Sequence, residues 1–272
     1  MAETFQHRAR KRFGQNFLHD AGVIHRILRA IHARPDEHLL EIGPGQGALT
    51  EGLLASGARL DVIELDQDLI PLLQARFAGQ PGFSLHQGDA LRFELDRLES
   101  SPGQLRVVGN LPYNISTPLI FRLLEQAGLI RDMHFMLQKE VVERLAARPG
   151  SGDWGRLSIM VQYHYRVEHL FNVGPGAFRP APKVDSAIVR LTPHARLPCP
   201  ARDPRQLERV VREAFNQRRK TLRNTLKGLL DSTAIEAAGV DGGLRPEQLE
   251  LAAFVRLADQ LALQSIHQET TP

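Results

Sequence analysis

The chain has 272 residues, 42% of them hydrophobic and 24% charged, enough to bury a sizeable core without a disulfide or metal scaffold. Its single cysteine, Cys199, rules out an intramolecular disulfide or a thiolate cluster. No apolar run reaches the roughly 20 residues of a membrane helix, and the polar, basic start carries no signal core, which points to the cytoplasm.

From Asp20 to about His32, the spacing of Val23, Ile24, Ile27, Leu28 and Ile31 predicts a helix with Asp20 as its N-cap. A strand over His38–Ile42 then runs into Glu41-Ile-Gly-Pro-Gly-Gln-Gly47, read as strand, tight turn and helix start. Helices over Ala48–Ala55 and Asp68–Phe77 alternate with strands over Arg59–Glu64, Phe83–His86 and Leu105–Gly109. A helix over Ser116–Gln126, a strand over Asp132–Gln138 and a helix over Lys139–Ala147 follow. Arg148–Asp153 is a loop by composition, and Tyr165–Val173 and Ser186–Thr192 are late strands. The alternation predicts an α/β domain with a mostly parallel sheet covered on both faces. Pro193–Pro204 reads as a linker, and the rest as helices over Leu207–Asn216, Thr221–Leu230, Thr233–Ala238 and Pro246–Leu263. The expected division is a sheet domain over residues 1–193, with a basic N-terminal extension, and a small all-helical domain over 194–272.

Net charge is only +3, but it is unevenly placed. Arg8, Arg10, Lys11 and Arg12 cluster at the start, and nine Lys or Arg against three Asp or Glu lie between Arg202 and Lys227. Such a field suits a polyanionic partner, although solvated helix faces would look the same.

Glycine at Gly43 and Gly45 lets the backbone turn sharply and a ligand approach closely. Glu64, about 20 residues beyond Gly43 at a strand end, is placed to accept from the hydroxyls of a ribose. Gly43, Gly45 and Ala48 also satisfy a dinucleotide fingerprint, so a nicotinamide cofactor stays open on this feature alone. In Gly88-Asp-Ala-Leu91 the carboxylate of Asp89 can accept from an adenine amine or simply cap a turn.

The sharpest signal is Asn110-Leu111-Pro112-Tyr113 after the next strand. The adenine N6 amine is a weak nucleophile because its lone pair is delocalised into the ring. Two acceptors, the Asn110 side-chain oxygen and the Pro112 carbonyl, can bind both amine hydrogens and aim that lone pair. Proline restricts the backbone that carries the second acceptor, and the Tyr113 ring offers a surface for the base. Transfer of a methyl from a sulfonium moves positive charge onto nitrogen, so positioning and dipoles carry the reaction without a metal or a covalent nucleophile.

These blocks resemble the ribosomal RNA adenine dimethyltransferase family, in particular its bacterial small-subunit branch. The resemblance runs through Gln15-Asn-Phe-Leu18, Glu41–Thr50, Ile63-Glu-Leu-Asp66, Gly88–Leu91, Asn110–Ser116, Phe178–Ser186 and Phe215–Arg223. It implies a Rossmann-like sheet binding S-adenosylmethionine, and methylation of N6 on two adjacent adenosines near the 3′ end of small-subunit ribosomal RNA. It implies that Asn16 and Leu18 close over the cofactor's methionine end and that Gly43 and Gly45 contact it. Glu64 would hold the ribose and Asp89 the adenine, Leu65 and Ala90 would also bind the cofactor, and Asn110 would touch both cofactor and target amine. Phe178 would face Tyr113 across the base. Arg218, Arg219, Lys220 and Arg223 would meet RNA phosphates, with Arg219 and Arg223 expected on one helix face. The partner implied is the small ribosomal subunit or its precursor, bound by a monomer with no metal and no membrane. Gln138–Trp154 resembles a loop region of the family to which no residue roles attach.

Competing readings are a large-subunit rRNA adenine methyltransferase, a DNA adenine methyltransferase, an assembly factor whose binding outweighs its chemistry, and a nicotinamide oxidoreductase.

Overall fold

The protein is represented by a computed structural model that describes residues 15–217 and 219–269. The basic N-terminal cluster and Arg218 lie outside the described residues. Strand β1 (Phe17–Leu18) leads to helix α1 (Ala21–Ile31), whose cap is the expected one: Asp20 Oδ1 accepts from the Val23 amide at 2.9 Å. Strands β2 (His38–Ile42), β3 (Arg59–Glu64), β4 (Phe83–Gln87), β5 (Leu105–Asn110) and β6 (Ile130–Gln138) follow. Helices α2 (Thr50–Leu54), α3 (Ile70–Phe77) and α4 (Ser116–Glu125) lie between them, and α5 (Lys139–Leu145) comes after β6.

With β7 (Tyr165–Val173) and β9 (Ser186–Pro193), these strands form one seven-stranded sheet in the order β4-β3-β2-β5-β6-β9-β7. The pairs β2–β3, β3–β4, β2–β5 and β5–β6 are parallel, and β9 runs antiparallel to β6. A two-stranded sheet joins β1 to β8 (Phe178–Arg179). Neither of these two-residue strands has enough length to show a periodic pattern.

Strands covered on both faces read as near-continuous apolar runs. Leu39, Leu40 and Ile42, and Leu60, Val62 and Ile63, are accordingly all buried. One face packs Leu39, Leu60, Val62, Val108, Met136 and Ile188 with Ile27 and Ile31 of α1 and Leu53 of α2. At the amino ends of the strands, Arg106 is 5% exposed and ties β5 to its neighbours. Its guanidinium donates to Glu37 at 2.6 Å, to both oxygens of Asp132 at 3.0 and 3.1 Å, and to the Ile31 carbonyl at 2.7 Å.

The chain divides into two compact units, one reaching to Val142 and including Arg166–Pro193, the other made of Glu143–Tyr165 and the chain from His194 on. Segment Glu143–Tyr165, expected to belong with the sheet, thus groups with the helical C-terminal chain. It holds α6 (Arg156–His164), for which no element is predicted, because its Ile159, Met160, Val161 and Tyr163 are buried on nearly every side and leave no amphipathic stripe. Within this unit, Trp154 Nε1 donates to the Leu249 carbonyl at 2.8 Å, and α10 (Leu251–Glu269) packs chiefly on α7 (Pro204–Ala214). Short helices α8 (Leu222–Thr225) and α9 (Ser232–Ala237) complete it. No helix among the described residues is long and apolar enough to cross a membrane.

Candidate active site

Strand β2 pairs with β3 on one side and β5 on the other, so the sheet winds in opposite senses from that seam. The carboxyl ends of two such strands diverge into a crevice, the usual ligand position in an open α/β sheet. The cavity there is lined by the residues after β2, β3, β4 and β5, and by the segment that carries β1.

The glycine turn sets one wall. Gly43, Gly45 and Gly47 all have positive φ, at 67°, 58° and 84°. At Gly47 a side chain is doubly excluded, since a Cβ there would come within 2.6 Å of the Phe77 ring. At Gly43 the space a Cβ would take is open, so the backbone itself faces the cavity.

Opposite the turn, Glu64 closes β3. Its carboxylate accepts from the Gly45 amide at 3.3 Å and the Asp66 amide at 2.8 Å. Burial pushes its pKa up, partly offset by those amides. Leu65 beside it is 49% exposed and lines the cavity, an apolar surface left uncovered by the protein. Asp89 and Ala90 lie on the same wall. Asp89 Oδ1 also accepts from the Leu91 amide at 2.9 Å, so this residue caps its turn while lining the cavity.

A second acid has no role assigned from the sequence. Glu41, 2% exposed, accepts from Thr50 Oγ1 at 2.6 Å and lines the cavity floor. Burial, opposed by the Thr50 bond and aided by the charge of Glu64, raises its pKa to about 7. The signal was present as the acid that opens the glycine motif, but its protonation depends chiefly on burial, which the motif does not display.

The Asn110–Tyr113 segment forms the third wall. Asn110 Nδ2 donates to the Asn16 carbonyl at 3.0 Å, which leaves Oδ1 as the acceptor end of the amide. Leu111 is buried, with its amide donating to the Met136 carbonyl at 3.2 Å. The Pro112 carbonyl accepts from the Ile115 amide at 3.1 Å, so one of its two lone-pair directions is used within the turn. Tyr113 is half-buried, and its hydroxyl lies 2.8 Å from Ser186 Oγ. Burial raises its pKa, with the Ser186 bond opposing.

The segment with Asn16 and Leu18 is held across this crevice. Gln15 Nε2 donates to Asp66 Oδ2 at 2.8 Å, and β1 pairs Leu18 with Phe178. The structure thus brings Asn16, Leu18, Gly43, Gly45, Glu64, Leu65, Asp89, Ala90 and Asn110–Tyr113 around one cavity.

Phe178 is placed differently. It is 3% exposed, packed in the core with Leu18 and Ile188, and is not among the cavity-lining residues. The basic residues Arg219, Lys220 and Arg223 are exposed in the helical unit, but the shared helix face for Arg219 and Arg223 is not formed. Lys220 is in a turn, its amide donating to the Gln217 carbonyl at 3.0 Å, and extended backbone at Thr221 delays the helix start to Leu222. The exposed residues Arg205, Arg209 and Arg212, at helical spacing on α7, make a further basic stripe. Among the described residues, no group of three or more His, Cys, Asp or Glu is placed to hold a metal.

A profile of the family described as ribosomal RNA adenine dimethylase matches residues 6–263. A ribosomal RNA small subunit methyltransferase A of Pseudomonas fluorescens is 80% identical over 262 residues, covering 96% of this chain and 97% of that protein. The crystal structure of a dimethyladenosine transferase from Plasmodium falciparum superposes with a TM-score of 0.76 at 25% identity, covering 93% of this chain and 98% of the other. That of the 23S rRNA methyltransferase ErmE gives 0.68 at 29% identity, covering 91% and 100%.

Proposed function

The chain belongs to the ribosomal RNA adenine dimethylase family, and from that premise we propose that it methylates N6 of two adjacent adenosines near the 3′ end of small-subunit ribosomal RNA. It is an S-adenosylmethionine-dependent rRNA adenine dimethyltransferase. The small subunit is favoured over the large one by 80% identity to a small-subunit enzyme against 29% to the 23S enzyme. We place its action in the cytoplasm, on the small subunit or its precursor, with binding that also contributes to late subunit assembly. We take it to act as a monomer.

The cavity fits S-adenosylmethionine by three features: open space at the Gly43 backbone, a buried acid at the end of β3, and the uncovered Leu65. Glu64 would hold the ribose, Leu65, Asp89 and Ala90 the adenine, and Asn16, Leu18, Gly43 and Gly45 the methionine end. When bound, the cofactor supplies an electrophilic methyl on a positively charged sulfur.

The observation that carries the mechanism is the hydrogen bond from Asn110 Nδ2 to the Asn16 carbonyl. An asparagine amide can present either its oxygen or its nitrogen to a ligand, and this bond commits the nitrogen. Oδ1 then accepts one hydrogen of the adenine amine, and the remaining lone pair of the Pro112 carbonyl accepts the other. Leu111 between them is buried and its amide donates to the Met136 carbonyl, which ties the segment to β6. The base stacks on Tyr113, which offsets part of the few kcal/mol needed to take it out of its stack. As positive charge reaches the amine nitrogen, both acceptor dipoles bind it more strongly, which lowers the barrier. Phe178 supplies a second ring face only after the Leu18–Phe178 pairing is rearranged. Arg218, Arg219, Lys220, Arg223 and the α7 stripe would meet phosphates.

The test is mass spectrometry of small-subunit rRNA after incubation with isotope-labelled cofactor, with purified large subunits as the control. Glu64→Ala and Asn110→Ala should abolish transfer and leave subunit binding largely intact. Methylation of the large subunit alone would reject the substrate assignment, and equal loss of binding would reject the separation of chemistry from assembly.

A further inference from the structure

Tyr113 and Phe17 are aromatic rings of the cavity wall, and the hydroxyl of Tyr113 is held by a residue outside that wall. We propose that Ser186 is a positioning residue for methyl transfer, its hydroxyl pinning the tip of the Tyr113 ring so that the ring stays where the target base stacks. This rests on the reading of Tyr113 as the stacking surface.

Three observations carry it. First, Tyr113 Oη and Ser186 Oγ are 2.8 Å apart, and Ser186 is 1% exposed. Second, the serine is anchored by backbone rather than by side-chain packing alone. It is the first residue of β9, paired with Gln138 of β6, and the preceding Asp185 carbonyl accepts from the Lys139 amide at 2.9 Å. Its Cβ is therefore as fixed as the sheet, and a single torsion separates it from the Oγ that meets Tyr113. Third, the other end of the tyrosine is fixed too. The Tyr113 carbonyl accepts from Ser116 Oγ at 3.1 Å, and the Pro112 carbonyl closes its turn on the Ile115 amide.

A tyrosine held only at its Cα can swing about two side-chain torsions. Held at Cα and at Oη, its ring axis has one direction, because the bond restricts χ1 and pins the tip of the ring. Stacking places the base, and the base places its amine against Asn110 and Pro112, so the position of the ring bears on transfer geometry, where errors of about 0.5 Å or 10–20° matter. Ser186 sits 73 residues from Tyr113 in the chain. It touches neither of the two amine acceptors, Asn110 Oδ1 and the Pro112 carbonyl, and acts through the tyrosine.

The experiment compares wild type, Ser186→Ala, Tyr113→Phe and the double variant. For each, single-turnover methylation of small-subunit rRNA, cofactor affinity by calorimetry and melting temperature are measured. Ser186→Ala should lower the transfer rate about tenfold, the size of one ordinary hydrogen bond. Cofactor affinity and melting temperature should stay near wild type. Tyr113→Phe, which keeps the ring and removes the hydroxyl, should lose about as much. In the Tyr113→Phe background, adding Ser186→Ala should change the rate by less than about twofold, since the bond is already gone. A purely structural role for Ser186 would instead lower both backgrounds alike. That result, or an unchanged rate in Tyr113→Phe, overturns the proposal while leaving the dimethyltransferase reading intact. Failure of the wild type to methylate the subunit overturns both. If Ser186→Ala does not fold, Tyr113→Phe decides by itself.

Discussion

Replacing Arg106 by methionine should destabilise the protein by about 3 kcal/mol without disturbing its chemistry. Methionine keeps the length and apolar stem of the side chain, so the change removes charge and donors rather than volume. In the structure, that charge faces Glu37 at 2.6 Å and Asp132 at 3.0 Å, with the Ile31 carbonyl as a third acceptor. Breaking a buried pair by removing one partner costs about 3–5 kcal/mol, because the other charge stays buried. The lower end applies here. Glu37 keeps Arg131 at 2.9 Å and the Arg34 amide at 3.0 Å, and Asp132 keeps His134 at 3.5 Å.

For a chain of this size each kcal/mol moves the melting temperature by about 2–4 °C, so a fall of roughly 6–12 °C is expected. The pH dependence gives an internal check. Burial alone would raise the Asp132 pKa, but the neighbouring His134 and Arg106 outweigh it and hold the value below 3.8. A depressed carboxylate contributes stability that is present above its unfolded pKa and lost as pH falls through the folded one. Wild type therefore keeps this contribution down to pH 4, whereas in the variant Asp132, without the guanidinium that helps hold its pKa down, takes up a proton at higher pH. The gap should narrow between pH 7 and pH 5. Calorimetric unfolding at both pH values measures it, with cofactor affinity as the control, since the network lies at the amino ends of the strands and the site at the carboxyl ends. A melting temperature within 2 °C of wild type at pH 7, or a gap that widens on acidification, would refute the reasoning.

Three further outcomes follow from the same geometry. Glu41, raised from 4.5 to about 7, holds a proton in the native state that the unfolded chain has released, so stability falls as pH rises between those values and then levels. Glu41→Gln should remove a decline of roughly 3 kcal/mol, read as a variant that gains on wild type between pH 5 and pH 8 in thermal unfolding. Gly47→Ala should cost at least about 2 kcal/mol, from positive φ and from the Phe77 ring 2.6 Å from the added carbon. Calorimetry should also show weaker cofactor binding in that variant, because the glycine turn must shift. The double replacement Arg219→Ala with Arg223→Ala should reduce the slope of log affinity against log salt for small-subunit rRNA by about 1–2. An unchanged slope would remove both residues from the phosphate contacts.

Much of this protein is written in short windows of its sequence. Helix α1 and its Asp20 cap, the runs of β2, β3 and β5, the glycine turn, Glu64 and the Asn110–Tyr113 tetrapeptide are all visible there. Each depends on neighbouring residues alone, through side-chain period, backbone permission or turn chemistry. What the sequence does not display are juxtapositions created when distant strands become neighbours. The Asn16 carbonyl that commits the Asn110 amide is 94 residues away, and the serine that holds Tyr113 is 73 away. Phe178 reads as an available aromatic until β1 pairs with β8 and covers it. The segment from Glu143 to Tyr165 reads as part of the sheet until its buried side chains group with the C-terminal helices. The protonation of Glu41 belongs to the same class, because desolvation is a property of the finished interior and has no signature in local order. Local chemistry therefore determined which groups could act, and the crossing of the chain at the β2–β5 seam decided which of them meet.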